Sequence, residues 1–151
     1  MLYTAMTKQA MQLCFTAHRD QQDKSGLPYV FHPFHLAEQM PDEDCTVAAL
    51  LHDVVEDTDF TLEDLRNMGF SGDVLEALGL LTHGKDTPYM DYVARLKGNR
   101  IARTVKLADL RHNSDLTRLD CVTEKDLLRV EKYKKAIALL ESDTYAPEII
   151  P

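Results

Sequence analysis

The sequence predicts an all-α fold, a single helical bundle over residues 1–151. Three observations carry this. Apolar residues recur at helical spacing through most of the chain, as in the stripe Ala10, Leu13, Cys14 and Ala17. No run alternates apolar and polar residues for long enough to make a strand. One stretch around Val47, Ala48, Ala49, Leu50, Leu51 and Val54 is apolar nearly all round, which marks a central buried helix.

The elements follow in order. Residues 4–19 read as the first helix, and Gly26 and Pro28 in "DQQDKSGLPYVF" then break the pattern into a loop. Pro33 suits the first turn of a short helix ending near Met40, with His32 just before it. The acidic run Asp42, Glu43, Asp44 fits the start of the central helix, expected to continue to about Glu56. Residues 61–67, 73–81, 90–96 and 101–112 read as further helices. The last helix, 123–142, carries the stripe Leu127, Val130, Tyr133, Ile137 and Leu140. The core of the domain is expected over about 4–142, and the tail 143–151 is expected to be irregular.

Length and composition narrow the function. A chain of 151 residues suggests one domain with a sizeable core. The net charge of −8 shows no basic face for a nucleic-acid polymer, but leaves room for a small polyanion held by a metal ion and a few local cations. Apolar runs are too short to span a membrane, and "MLYTAMTKQA" lacks the pattern of a secretory signal. Cys14, Cys45 and Cys121 are too scattered for a disulfide framework. They read as free thiols in a reducing cytoplasm, the expected location.

The chemistry concentrates in "LLHDVVEDT", residues 50–58. His52-Asp53 and Glu56-Asp57 sit among Leu50, Leu51, Val54 and Val55. Charge in such a setting needs a partner or a metal ion. His32 in "YVFHPFHLA" and Asp109 in "VKLADLRHN" are further polar groups in apolar surroundings. Two imidazoles and two carboxylates make a mixed nitrogen and oxygen set suited to manganese, iron or zinc. A His-Asp dipeptide alone is a weak motif. Its setting and the other two positions make the signal stronger.

Taken together, "AHRDQQDKSGLPYVFHP", "ALLHDVVEDT", "LEDL" and "VKLADLRHN" resemble the HD superfamily of metal phosphohydrolases, over residues 17–113. Within it, they resemble the hydrolase domain of the RelA/SpoT-type alarmone enzymes, including the small stand-alone hydrolases. The resemblance implies a helical bundle of HD-domain type and a single HD-type hydrolase domain. It implies metal ligation by His32, His52, Asp53 and Asp109, with Mn²⁺ or another divalent ion, and catalysis by Glu56 and Asp57. The implied reaction removes the 3′-pyrophosphate of (p)ppGpp. Lys24, Ser25, Tyr29 and Asn113 would meet the nucleotide, a small phosphorylated substrate. A divalent ion would offset charge on the phosphoryl group, and a carboxylate would orient the attacking water or relay its proton.

Each residue also has a structural reading. His52 and Asp53 could cap a helix end, and Asp109 could pair with Lys106 or Arg111. Glu56 and Asp57 could form a solvated terminus, and Lys24 could be a mobile surface lysine. His18, His35, His83 and His112 read as packing, loop or supporting residues. Two other functions compete with the alarmone hydrolase. One is a phosphohydrolase of another nucleotide, an adenine analogue or an NADP-like dinucleotide. The other is a non-catalytic nucleotide-binding regulatory module, which would not need the Glu56-Asp57 pair. The chain also departs from the family it resembles. Asp23 stands before Lys24, where an arginine that packs against guanine is usual. Unless Asp23 is paired with Arg19 or points away, that predicts repulsion of the polyanion and a gain in kcat/KM from Asp23→Arg.

Overall fold

The computed structural model describes residues 1–142; the predicted irregular tail lies outside the described residues. The fold is all-α, with an isolated antiparallel bridge, Gln22 to Pro28, as the extended pairing found among the described residues. The helices are α1 (Ala5–Ala17), α2 (Phe31–Glu38), α3 (Glu43–Leu51), α4 (Val54–Asp57), α5 (Leu62–Asn67), α6 (Gly72–Leu81), α7 (Tyr89–Leu96), α8 (Arg100–Asn113) and α9 (Glu124–Glu141). A 3-10 turn, Leu116–Arg118, joins α8 to the segment before α9.

Helix α3 is the centre. It packs against α1, α2, α6 and α8, and every residue from Cys45 to Leu51 is buried. Leu50 and Leu51 are fully enclosed. Each such leucine stabilises the fold by about 1.5–3 kcal/mol, and truncation of Leu51 to Ala would cost about 2–5 kcal/mol. Local signals set the helix starts. Asp42 caps α3 by accepting from the Cys45 N–H at 2.9 Å. Thr61 and Thr123 open α5 and α9 with reciprocal capping boxes to Asp64 and Asp126.

Two expectations need correction, and both bear on the site. The central helix does not run to Glu56. It ends at Leu51; His52 is its C-cap, Asp53 has φ −105° and ψ 0°, and a new four-residue helix begins at Val54. The break lets His52 turn its ring back on the helix, where Nδ1 meets the Ala49 carbonyl at 2.7 Å. The second helix starts earlier than predicted, so His32 lies inside its first turn rather than before it. Pro33 is tolerated there because first-turn N–H groups have no intrahelical acceptor.

Candidate metal centre and adjoining pockets

Three elements bring their side chains to one buried point. His32 comes from the first turn of α2, His52 from the end of α3, and Asp109 from the third turn of α8. One ligand atom from each lies within 4.8 Å of the others, and all three residues are buried. His32 Nε2 is 2.8 Å from Asp109 Oδ1. His52 Nε2 is 3.6 Å from the same oxygen and 3.1 Å from Asp53 Oδ2. Asp53 is more open, with 23% of its side chain exposed, and accepts a hydrogen bond from the Tyr29 hydroxyl.

The donor set fits a divalent cation. A carbonyl can only accept, so the His52 Nδ1 facing Ala49 O carries the proton. In the neutral ring, Nε2 then presents a lone pair. That atom is buried and makes no hydrogen bond, although two carboxylates face it. A lone pair turned toward carboxylate oxygens needs a cation between them. In the protein alone a proton takes that part: burial opposes the imidazolium, but Asp53 and Asp109 outweigh it and hold the His52 pKa well above the ordinary range. His32 is the opposite case. Burial drives it toward the neutral form despite Asp109.

The surroundings orient each ligand. His32 Nδ1 lies 2.7 Å from His112 Nδ1, the two rings parallel within 4°. Burial, then Arg118 and His32, lower His112 to about 4, so it is neutral and can accept from His32. His35 stacks on His112 at 4.1 Å. Both histidines therefore act behind His32, the supporting role that fixes a metal-binding ring. Asp109 is held from both sides: Lys106 Nζ meets Oδ2 at 3.0 Å, and Asn113 Nδ2 donates to Oδ1 at 3.0 Å. Burial works to raise Asp109, but Lys106, His32 and His52 keep it well below the carboxylate range. Burial likewise opposes charge on Asp53, and the His52 imidazole outweighs it, bringing Asp53 to about 2.

Two spaces open beside this cluster. A small cavity of about 150 Å³ is lined by His52, Asp53, Glu56, His83, Tyr89, Tyr92, Lys106 and Asp109. Glu56 is fixed at its mouth, where Oε1 accepts from the His83 N–H at 2.8 Å. Asp57 is not among the lining side chains. Burial, Asp53 and Glu56 together raise its carboxyl to about 6.

The second space, about 320 Å³, gathers Lys24, Ser25, Tyr29 and Asn113, the four residues singled out as nucleotide contacts. It also contains Arg118, Arg129 and Tyr133, which sequence reasoning missed. Arg129 and Tyr133 were read only as part of a helix, and Arg118 had no motif around it. Asp23 lines this pocket too, and its partners differ from the unpaired carboxylate that the sequence suggests. Asp23 Oδ1 accepts from the Ser25 and Leu27 N–H groups at 2.9 and 3.0 Å, holding the turn that needs Gly26 at φ +84°. Its Oδ2 faces Arg118 at 3.9 Å. Arg118 in turn donates to the His112 carbonyl and to Asn113 Oδ1, and its own carbonyl accepts from the Ser25 hydroxyl at 2.6 Å. The carboxylate is thus paired, and the Arg118 guanidinium lines the same pocket beside it.

No protein-family model matches the chain. Individual proteins do. A guanosine-3′,5′-bis(diphosphate) 3′-pyrophosphohydrolase of Danio rerio is 32% identical over 145 residues, covering 86% of this chain and 79% of that protein. The chain belongs to the guanosine-3′,5′-bis(diphosphate) 3′-pyrophosphohydrolase family. A family member of the same name from Aquifex aeolicus is 32% identical over 93% of this chain, and a GTP pyrophosphokinase of Streptomyces coelicolor is 37% identical over the same share. This chain spans only 20% and 17% of those two proteins. A solved structure, described as a metazoan ortholog of SpoT that hydrolyzes ppGpp, superposes with a TM-score of 0.77 at 26% identity. The match covers 94% of this chain and 89% of that one, so the all-α architecture of the pyrophosphohydrolase family is shared along nearly the whole fold.

Proposed function

We propose that this chain is a single HD-type hydrolase domain that removes the 3′-pyrophosphate of (p)ppGpp-like nucleotides in the cytoplasm, using Mn²⁺ or another divalent ion. The observation that carries the proposal is the buried set His32, His52 and Asp109, with Asp53 beside it, placed between the Glu56 cavity and the pocket of Lys24, Arg118 and Arg129. His32, His52, Asp53 and Asp109 would hold the ion, which would offset charge on the phosphoryl group. The water oxygen bonds to the 3′-phosphorus as the bond from phosphorus to the ribose 3′-oxygen breaks. The 3′-oxygen takes up a proton and leaves as the ribose hydroxyl, so the products are a nucleoside 5′-di- or triphosphate and pyrophosphate.

The chain's own residues supply the rest. Glu56, held by the His83 N–H, orients the attacking water and takes its proton. Asp57, raised to about 6, can hold or release a proton near neutral pH. Tyr29 stays protonated because burial and Asp53 raise its pKa, so it fixes Asp53 as a donor. Lys24, Arg118 and Arg129 give the larger pocket the cations that a nucleotide phosphate needs.

One assay tests this reading: turnover with Mn²⁺ across guanine and adenine nucleotides bearing 3′-phosphates. Release of pyrophosphate from ppGpp with the highest kcat/KM is expected. Faster turnover of an adenine or NADP-like substrate would move the function to that nucleotide. Nucleotide binding without turnover on any of them would make the chain a regulatory module.

A further inference from the structure

The small cavity is more than the back of the metal cluster. At about 150 Å³ it falls below the roughly 300 Å³ at which pockets for whole small-molecule ligands begin. The larger pocket, at about 320 Å³, has room for the nucleoside. Tyr29 and Asn113 line the larger pocket, yet hydrogen-bond Asp53 and Asp109, which line the small cavity. A substrate seated in the larger pocket would therefore reach across the cluster, and the small cavity would receive what lies beyond the scissile bond.

Two groups in that cavity take no part in the proposed chemistry. Lys106 brings the only lysine or arginine side chain among the described lining residues. It sits one turn before Asp109 on α8, with 13% of its side chain exposed. Its ammonium carries three N–H donors, and the bond to Asp109 Oδ2 uses one. The Tyr92 ring lies 5.3 Å away and shields one side. Tyr89 is the second group. Its hydroxyl is buried and has no hydrogen-bond partner among the described residues. The neighbouring Tyr92 hydroxyl, by contrast, donates to the Leu81 carbonyl at 2.5 Å. An unsatisfied buried hydroxyl costs free energy unless a ligand completes it.

Charge balance agrees. Asp53, Asp109 and Glu56 bring three negative charges, and Lys106 one positive. A divalent ion in the ligand set would offset the two aspartates, and the Glu56 carboxylate is engaged by the His83 N–H. An entering anion then meets the remaining N–H donors of Lys106, which shares Asp109 with the divalent ion.

We propose that Lys106 and Tyr89 form the subsite for the distal phosphate of the transferred pyrophosphoryl group. This rests on the pyrophosphohydrolase reading. When water attacks the 3′-phosphorus and the ribose oxygen departs, the distal phosphate keeps its contacts, so the subsite holds product pyrophosphate as well. Lys106 thus has two tasks, to steady Asp109 and to bind the phosphate.

Calorimetric titration of the Mn²⁺-loaded protein, at fixed free Mn²⁺, separates these. Inorganic pyrophosphate and GDP are titrated into wild type, Lys106→Met and Tyr89→Phe, with bound metal measured for each. Lys106→Met should weaken pyrophosphate by about tenfold or more, the scale of a charged hydrogen bond. GDP affinity and metal content should stay within about twofold of wild type. Tyr89→Phe, which leaves Asp109 untouched, should weaken pyrophosphate about threefold to tenfold, as for a neutral hydrogen bond. Equal weakening of GDP and pyrophosphate in Lys106→Met would make Lys106 a structural partner of Asp109 and overturn the subsite; if that variant loses metal, unchanged pyrophosphate affinity in Tyr89→Phe overturns it. If Lys106→Met does not fold, unchanged pyrophosphate affinity in Tyr89→Phe overturns it alone. Turnover of ppGpp by wild type, run in parallel, keeps the two ideas apart. Absent turnover with Lys106-dependent pyrophosphate binding would retire the substrate and keep the subsite.

Discussion

The small cavity and the larger pocket meet at one cluster, but they are built differently. The cavity's metal-ligand groups are enclosed. His52 and Asp109 are almost fully buried, and each is pinned by partners at 2.7–3.0 Å. The pocket is looser: its Asp23–Arg118 pair is 3.9 Å apart and partly exposed, on a loop and a 3-10 turn. Charge counts for more where water is excluded. In the cavity one wrong group leaves an uncompensated charge, so few residue types will serve at each position. In the pocket solvent screens each charge, and a guanidinium can come from more than one element.

The sharpest break in this comparison is removal of a buried ligand. His52→Ala should lower metal affinity by more than about 100-fold, the upper end seen when a mere supporting partner is lost. Turnover should vanish, and the rise in Tm on adding Mn²⁺ with it. Elemental analysis and thermal melts with and without Mn²⁺ check this. A full complement of metal in His52→Ala would remove His52 from the ligand set.

Next is a group at the cavity's mouth. Glu56→Gln keeps an oxygen for the His83 N–H, so position and metal should survive. Turnover should fall by about 10², the scale of general acid–base assistance, with KM little changed. Lost metal would make Glu56 a ligand, and unchanged turnover would return it to a solvated helix end.

The pocket should respond more mildly. Asp23→Arg removes two hydrogen bonds that hold the Ser25–Gly26 turn and sets a second guanidinium against Arg118. A net loss near 1 kcal/mol per hydrogen bond would lower kcat/KM for ppGpp by up to about thirtyfold, through KM. Asp23→Asn keeps the turn and should lie within about threefold of wild type. A rise in kcat/KM for Asp23→Arg would instead restore the expectation that the loop wants an arginine.

The same contrast explains what could be read from the sequence. The helices followed from apolar spacing and capping residues, and the all-α class with them. His32, His52, Asp53 and Asp109 stood out because charged groups are rare in apolar runs. The break at His52–Asp53 did not stand out, since Val54 and Val55 continue the apolar pattern across it. Lys106 read as a bland partner of Asp109, because nothing in the sequence says which cavity an ammonium faces. Arg118 was invisible for another reason. Its place beside Asp23 depends on a contact between positions 93 apart, from the Ser25 hydroxyl to its own carbonyl.

The smallest effect concerns Asp57, which lies between the two regimes: raised by burial and by its charged neighbours, yet exposed in the fold. Its carboxyl moves from 3.8 to about 6 in the folded, metal-free protein. A raised carboxyl binds its proton more tightly when folded than when unfolded. Stability is therefore lost as pH climbs through that window, fully above about 6 and not at all below 3.8. A shift of that size corresponds to about 3 kcal/mol, but solvent screening of an exposed group leaves about 1 kcal/mol. Asp57→Asn removes the charge. In chelator at pH 7 it should melt about 2–4 °C above wild type, and the gap should close at pH 3.5. Adding Mn²⁺ at pH 7 should narrow it too, since a bound cation offsets the repulsion from Asp53. An equal gap at both pH values would mean that the gain comes from packing, and the charged cluster would not reach as far as Asp57.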